Sequence, residues 1–368
     1  MTNSELKERL IDTIALLAVP GVGCGRYRRL VEKLGSPANV LSASKSTLEA
    51  VPDIGHATAS AIKTEYDGES ARQIAARIIQ LGWTVLFPGE DGYPRLLETL
   101  PDRPAVLFRI GEAIPSDEKI IAIVGTRHAT EKGRLFTSRI AGDLARSGLV
   151  IASGMAEGID SAAHRGAIDA GGKTIAVWGT SLDIIYPPSN KSLAGEIRQG
   201  GAVYSEYLPG TSPERTTFPE RNRIISGISA GVVVVEAGFR SGALITAKCA
   251  LDQGRELFAV PGRPGVDNSE GTNALIKKGA TLLTSAEDIF DQLPRLRGEV
   301  SSKKFKAMTD MTDMERKMIG LLEDGPQQID QLSRKAALPV SELLGFMLAL
   351  EMKGIVQELS GKRFILAE

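Results

Sequence analysis

The sequence predicts an α/β fold built on a doubly wound, mostly parallel sheet. An all-α region precedes the sheet and a small domain of three helices and a hairpin follows it. Two stretches lead to this reading: Ile120-Ile121-Ala122-Ile123-Val124-Gly125 and Leu149-Val150-Ile151-Ala152-Ser153-Gly154. Each is an apolar run that ends in glycine and is followed by a helical pattern, and their separation of about thirty residues is the size of one βαβ unit. Neither run alternates polar with apolar, so both strands are expected to be buried on two faces. A third observation is that strand and helix patterns keep alternating from 119 to 291. In such sheets ligands bind beyond the carboxyl ends of the strands. That edge is where Gly125-Thr126-Arg127 and Ser153-Gly154 fall.

Taken in order, residues 1–66 read as short helices containing a repeat. Val19-Pro20-Gly21-Val22-Gly23 recurs as Val51-Pro52-Asp53-Ile54-Gly55, each copy lying between two amphipathic helices. This resembles a tandem helix-hairpin-helix (SAM-like) domain, whose hairpin offers backbone N–H groups to a DNA phosphate. The first copy adds Arg26, Arg28 and Arg29; the second has Asp53 where glycine is expected. The alternative is a bundle in which the hairpins only pack. Residues 67–292 hold the sheet. A helix over 71–81 and strands at 83–87 and 105–108 extend one edge. The central strands are followed by candidates at 174–178, 202–206, 232–235, 257–260 and 281–283, joined by short helices.

Residues 293–310 mix Pro, Gly, Ser and Lys and read as a flexible linker. Residues 311–368 open with the capping box Thr312-Asp313-Met314-Glu315. A first helix is broken at Gly325-Pro326, a second spans 329–336, and a third runs from Ser341 to Gly354. A hairpin with a Ser360-Gly361 turn closes the chain. This is the winged-helix order. Its third helix carries Glu342, Glu351 and many apolar residues, with Lys353 as its one base. That suits a protein-contact or structural role better than a phosphate-lined groove.

Composition narrows the function. The 368 residues hold 44 Lys and Arg against 45 Asp and Glu, a formal net charge of -1. Any nucleic-acid site must therefore be a local patch. Cys24 and Cys249 lie far apart, as do His56, His128 and His164, so neither a disulfide framework nor a metal site is expected. No apolar run is long enough to span a membrane. The charged start lacks the order of a signal peptide, so a cytoplasmic location is expected.

Several loops at the carboxyl edge of the sheet are glycine-rich. Besides the first two they include Gly179-Thr180-Ser181, Gly238-Phe239-Arg240-Ser241-Gly242 and Pro261-Gly262-Arg263-Pro264-Gly265. Glycine lets backbone amides approach an anion, and the helix start that follows adds positive potential. None matches Gly-x-Gly-x-x-Gly or ends Gly-Lys-Ser/Thr, so neither a dinucleotide cofactor nor ATP is expected. Repeated anion seats along one crevice suit a polymer of phosphates. Arg215-Thr216-Thr217-Phe218-Pro219-Glu220-Arg221-Asn222-Arg223 adds a ring between arginines, the combination that stacks a single-stranded base and holds its phosphates. Arg221 and Arg223 cannot share a helix face, so one is expected in the crevice and the other in an internal salt bridge. No catalytic constellation stands out. Ser205-Glu206 and the pair Asp160 and His164 come nearest, and the expectation for Asp160 is a helix-start carboxylate satisfied by its neighbour.

Taken together, several motifs closely resemble the DprA/Smf family of DNA-processing proteins. They are Ile123-Val124-Gly125-Thr126-Arg127, the run from Ser153 to His164, Tyr186-Pro187, Ser205-Glu206, the run from Phe218 to Ile225, and Val235-Glu236-Ala237 followed by Ser241-Gly242. The resemblance spans roughly residues 70–292, and the flanking regions match a common three-part layout of that family. It implies an extended Rossmann-like domain that binds single-stranded DNA, forms homodimers and hands incoming DNA to the RecA recombinase during natural transformation, without being an enzyme. It implies DNA contacts at Gly125, Thr126, Arg127, Arg215 and Phe218, and a further basic contact at Lys191. The glycine loops and the arginine run add Ser153, Gly154, Arg221, Arg223, Ser241 and Gly242. After the first loop this chain has His128-Ala129-Thr130, where the family usually has serine and tyrosine. Two other classes stay open. One is a nucleotide-processing enzyme of the lysine-decarboxylase-like type, although Glu236-Ala237-Gly238-Phe239-Arg240-Ser241-Gly242 lacks the Pro-Gly-Gly-x-Gly-Thr loop of those hydrolases. The other is an adaptor acting through its tail.

Overall fold

Alternation along the central strands sets the layers. In β3 (Ile120–Val124) the side chains of Ile120, Ala122 and Val124 enter one apolar cluster, and those of Ile121 and Ile123 enter another on the opposite face. Successive side chains of a strand point to opposite faces, so a run that is apolar throughout must be covered on both. The structure is a computed structural model and describes residues 3–112, 119–297, 313–322, 325–336, 338–352, 356–359 and 361–366.

The remaining strands of the main sheet are β1 (Thr84–Leu86), β2 (Leu107–Gly111), β4 (Val150–Ser153), β5 (Thr174–Val177), β6 (Ala202–Ser205), β7 (Gly231–Val234), β8 (Glu256–Ala259) and β9 (Thr281–Leu282). Their order is β1-β2-β6-β5-β4-β3-β7-β8-β9. All neighbours from β6 to β9 run parallel, and the β6–β2 and β2–β1 pairs are antiparallel. Winding proceeds from β3 out to β6 and then restarts beside β3 with β7. The topological switch point, where open parallel sheets bind ligands, is therefore the β3–β7 gap.

The N-terminal helices are α1 (Asn3–Ala18), α2 (Cys24–Leu34), α3 (Pro37–Ser42), α4 (Lys45–Glu49), α5 (His56–Thr64) and α6 (Gly68–Gln80). One face of α1 (Leu10, Ile11, Ile14) joins the cluster of Trp83, Phe87 and Phe108 on the sheet, while Leu16 joins the helical core of Leu30, Val40 and Ile62. Helical region and sheet thus share one compact unit, Met1–Gly298. In the repeat, Gly21 has φ 82° and Asp53 has φ 61°, so both hairpins turn through the left-handed region. Aspartate is among the few side chains that tolerate that region. Arg29 bonds the Asp53 carboxylate at 2.6 Å, Arg28 pairs with Glu32, and Arg26 donates to the Gly21 carbonyl. All three arginines of the first copy are engaged within the hairpins.

Helices α7 (Arg95–Glu98), α8 (Glu131–Arg146), α9 (Ile159–Asp169), α10 (Lys191–Gly200), α11 (Thr217–Gly227), α12 (Ala243–Asp252), α13 (Asp267–Lys277) and α14 (Glu287–Gln292) follow. The helices joining the later strands, α9 to α13, are short as expected, at 10 or 11 residues each, while α8 runs for 16 residues and packs along α9. The expected linker at 293–310 starts as core: Pro294–Leu296 form a 3-10 turn, with Leu293 and Leu296 both buried. Leucines three apart seal the end of the sheet, which composition alone concealed. The rest of that linker, 298–310, lies outside the described residues. No helix among the described residues is long and apolar enough to cross a membrane.

The second unit, Glu299–Glu368, holds α15 (Asp313–Leu322), β10 (Gln327–Gln328), α16 (Ile329–Ala336), α17 (Val340–Met352), β11 (Val356–Leu359) and β12 (Arg363–Leu366). Its strand order is β10-β12-β11. The two-residue β10 was not anticipated, because Gln327-Gln328 carries no apolar signal. Leu343, Met347 and Leu350 form the buried face of α17, as spacings of four and three require. Thr312 of the expected capping box, Lys353 and Gly354 at the expected helix end, and Ser360 of the expected turn lie outside the described residues.

Candidate nucleic-acid interface

At the switch point the β3–α8 loop is strapped to the end of β7. The amide of Thr126 donates to the Glu236 carbonyl at 2.7 Å. The Glu236 carboxylate accepts from the Thr130 amide at 2.9 Å and the Thr130 hydroxyl at 2.6 Å. Thr130 in turn caps α8 by accepting from the Gly133 amide. Gly125 is required by space, since a Cβ there would lie 2.5 Å from Ile159 Cγ1. The backbone on both sides of Arg127 is fixed, and its side chain is exposed.

This loop forms part of a cleft of about 740 Å³. Phe218, at the start of α11, lies half-buried in it. The Arg127 guanidinium carbon sits 5.3 Å from the centre of the Phe218 ring, within cation–π range. Tyr186 packs on that ring at 5.4 Å with a 37° tilt. Arg215 and Arg240 are exposed residues of the cleft lining. Among the described residues, Arg127, Arg215 and Arg240 make no salt bridge. The first turns of α11 and α12 also line the cleft, and α12 has no acid there, so its positive end is uncompensated. Ser241 and Gly242 sit at that helix start, with the Ser241 hydroxyl accepting from the Ala243 amide.

The floor is a buried network. Arg221, 5% exposed, donates to the carbonyls of Gly154 and Val177. Burial pulls its pKa down to about 10. Asp160 accepts from the amides of Gly154 at 3.1 Å and Ala156 at 3.3 Å. Burial pushes its carboxyl up, and nearby Arg221 opposes that shift. Gly154 and Arg221 also line a smaller pocket of about 180 Å³ bounded by Phe218, Tyr186 and Arg127.

Three expected site residues lie outside both cavities. Ser153 is buried, and its hydroxyl donates to the Ile123 carbonyl. Arg223 faces away from the cleft and bonds Glu206 at 2.5 Å, with Asp102 at 3.9 Å. Of the two arginines, then, Arg221 lines the cleft and Arg223 makes the internal salt bridge. Lys191 is exposed at the start of α10. It follows a turn held by Ser189 on Glu157 and by Asn190 on the Met155 carbonyl.

The polar groups nearest to catalytic use are committed elsewhere. His164 is buried, and its Nδ1 shares a hydrogen bond with the Thr174 hydroxyl at 2.7 Å. Burial, aided by Arg221, pulls its pKa down to about 3, so it is neutral. Asp160 is satisfied by backbone amides rather than by its helix neighbour His164, which corrects the sequence expectation. Ser205 donates to the Thr180 carbonyl. Among the described residues, no three His, Cys, Asp or Glu are grouped to hold a metal ion. Sequence reasoning did not single out Tyr186, Arg240, Asn268 or Glu236 as site residues. Tyr186-Pro187 and Glu236 stood inside recognised motifs, which was the available signal.

Family models match the chain in three places. A SAM-like helix-hairpin-helix tandem covers residues 13–66, DNA recombination-mediator protein A covers 84–294, and a DprA winged helix domain covers 306–362. Protein Smf of Synechocystis sp. is 34% identical over 386 aligned residues, 95% of this chain and 97% of the relative. The DNA processing protein DprA of Bacillus subtilis is 45% identical over 203 residues, 55% of this chain and 68% of the relative. The crystal structure of DNA processing protein A from Streptococcus pneumoniae is similar with a TM-score of 0.66 at 34% identity, covering 76% of this chain and 97% of that one. That of Helicobacter pylori, described for its single-stranded DNA binding mode, gives 0.53 at 32% identity, covering 59% and 97%. With one family model spanning more than half of the sequence and a relative aligned along nearly all of it, the chain belongs to the DNA recombination-mediator protein A family, DprA/Smf.

Proposed function

We propose that this chain binds single-stranded DNA in the switch-point cleft, protects incoming DNA and loads the RecA recombinase onto it during natural transformation. It does so as a cytoplasmic homodimer and without a catalytic step. One observation carries the DNA reading: a half-buried ring, Phe218, bracketed by Tyr186 and Arg127 in a cleft whose rim holds Arg215 and Arg240. Stacking on a ring needs an unpaired base face, and free guanidiniums suit the phosphates on either side. The H. pylori relative binds single-stranded DNA, which supports the same use here. The recombinase partner and the dimer rest on the family resemblance. The commitment of Asp160, His164 and Ser205 to structural hydrogen bonds supports a non-catalytic role.

The test is a titration with single-stranded and blunt duplex oligonucleotides at several salt concentrations. Single strands are expected to bind more tightly at every salt, with log affinity falling linearly against log salt. Equal or tighter binding of the duplex would overturn the proposal. The winged-helix unit is assigned a protein-contact or structural role, because α17 spends its apolar face on the core, exposes Glu342 in its first turn and engages Glu351 with the Glu358 amide. Deleting residues 311–368 is therefore expected to leave single-strand affinity within about threefold, or roughly 0.7 kcal/mol. A loss of about a hundredfold would place DNA on that unit.

A further inference from the structure

We propose that Phe239 and Arg240 form a second seat for single-stranded DNA, in which Phe239 stacks one base and Arg240 holds a neighbouring phosphate. This inference rests on the DNA reading of the cleft and extends it beyond the Phe218 seat. The Ser241 amide donates to the Gly238 carbonyl at 2.9 Å, closing a β-turn. Phe239 and Arg240 occupy its two corner positions, where side chains project from the chain. The turn is anchored on both sides. The Ala237 amide donates to the Asn268 carbonyl at 2.7 Å, and Ala243 begins α12 on the other side.

The flanking residues Gly238, Arg240, Ser241 and Gly242 all line the cleft. Phe239 is therefore held on its rim, and it is 65% exposed. Among the described residues the one other exposed aromatic is Tyr66, at 41%. Ile245, one turn into α12 and 41% exposed, extends the same apolar rim into the cleft. An exposed ring on a rigid turn beside a guanidinium without a salt bridge matches the elements that hold single strands. The seat is sequence-tolerant, because every base has a face to stack.

Two lengths of oligothymidylate separate this seat from the first, about six and about twelve nucleotides, within the range of single-strand site sizes. Phe239→Ala is expected to weaken the longer strand about fivefold or more, while the shorter strand, which fills the Phe218 seat, binds as to the parent. Phe239→Trp should restore the longer strand. Arg240→Ala should reduce its salt slope by about 0.7. The ring is exposed, so these variants are expected to fold as the parent does, checked by circular dichroism. If Phe239→Ala binds both lengths as the parent does, the second seat is wrong while the Phe218 seat stands. If it leaves DNA binding intact but changes the sedimentation coefficient, Phe239 is a protein contact and the proposal is equally overturned. Failure of the parent to bind either strand would overturn this inference and the DNA reading together.

Discussion

Arg223→Ala is expected to destabilise the protein by about 3–5 kcal/mol, the loss seen when one partner of a buried ion pair is removed. The pair lies outside the cleft. Arg223 on α11 bonds Glu206 just past β6, with the two side chains 15% and 12% exposed. Burial pushes the Glu206 carboxyl upward, and the adjacent guanidinium is the main force holding it down. Without Arg223 that carboxyl moves further up. A folded-state pKa above the unfolded value means a contribution that is present at low pH and lost as pH rises through the folded pKa. The variant should therefore lose more stability at pH 8 than at pH 5. Urea unfolding at both pH values is the measurement, with the midpoint falling and the slope unchanged. Replacing both partners, Arg223→Met with Glu206→Met, should recover most of the loss, since a well-packed apolar pair is often no worse than a buried ionic one. Single-strand affinity should stay at the parental level. A loss below about 1 kcal/mol would place the pair among solvated surface bridges.

This pair also shows what a sequence can reveal. Arg221 and Arg223 stand two apart on a helix, and that spacing alone predicts opposite destinations. Which arginine went where was not legible. Arg221 is bound by the carbonyls of Gly154 and Val177, and backbone carbonyls leave no trace in residue identity. Ser153 misled for the same reason, because its acceptor is the carbonyl of Ile123. The sheet was far more readable, since strands buried on both faces must be apolar at every position. The carboxyl edge of the sheet followed from those runs, and Gly125-Thr126-Arg127 came with it, while Phe218 was legible as a ring among arginines; the switch point itself needed the strand order. Tyr186 could not be placed by local pattern, because it reaches the Phe218 ring across 32 residues of chain. The segment 293–297 was misjudged because two leucines among polar residues weigh little in composition and much in packing. Asp53 looked like a departure from the hairpin pattern, yet its positive φ restores the turn and its carboxylate engages Arg29.

Phe218→Ala is expected to cost about 1–3 kcal/mol of single-strand affinity through lost stacking. The ring is a prepared surface. It is packed by Tyr186 on one side, and Gly179 leaves so little room beside it that a Cβ there would lie 2.8 Å from Phe218 Cδ1. A base therefore meets a ring that loses little freedom on binding. Arg127→Ala reports on a different axis. It should remove about one released counterion, lowering the salt slope by roughly 0.7. It should leave base preference unchanged, because phosphate contacts position without specifying. The two side chains are not independent, since the Arg127 guanidinium stands 5.3 Å over the Phe218 ring. Removing the ring frees that guanidinium to wander, so Phe218→Ala should blunt the effect of Arg127→Ala. A double-mutant cycle is expected to show coupling of about 0.5–1 kcal/mol, the size of a partly exposed cation–π contact. If Arg127→Ala binds as tightly as the parent and keeps the parental salt slope, the β3–α8 loop is only a structural turn. If Phe218→Ala also retains full affinity, the strand does not run through this cleft, however well its geometry suits one.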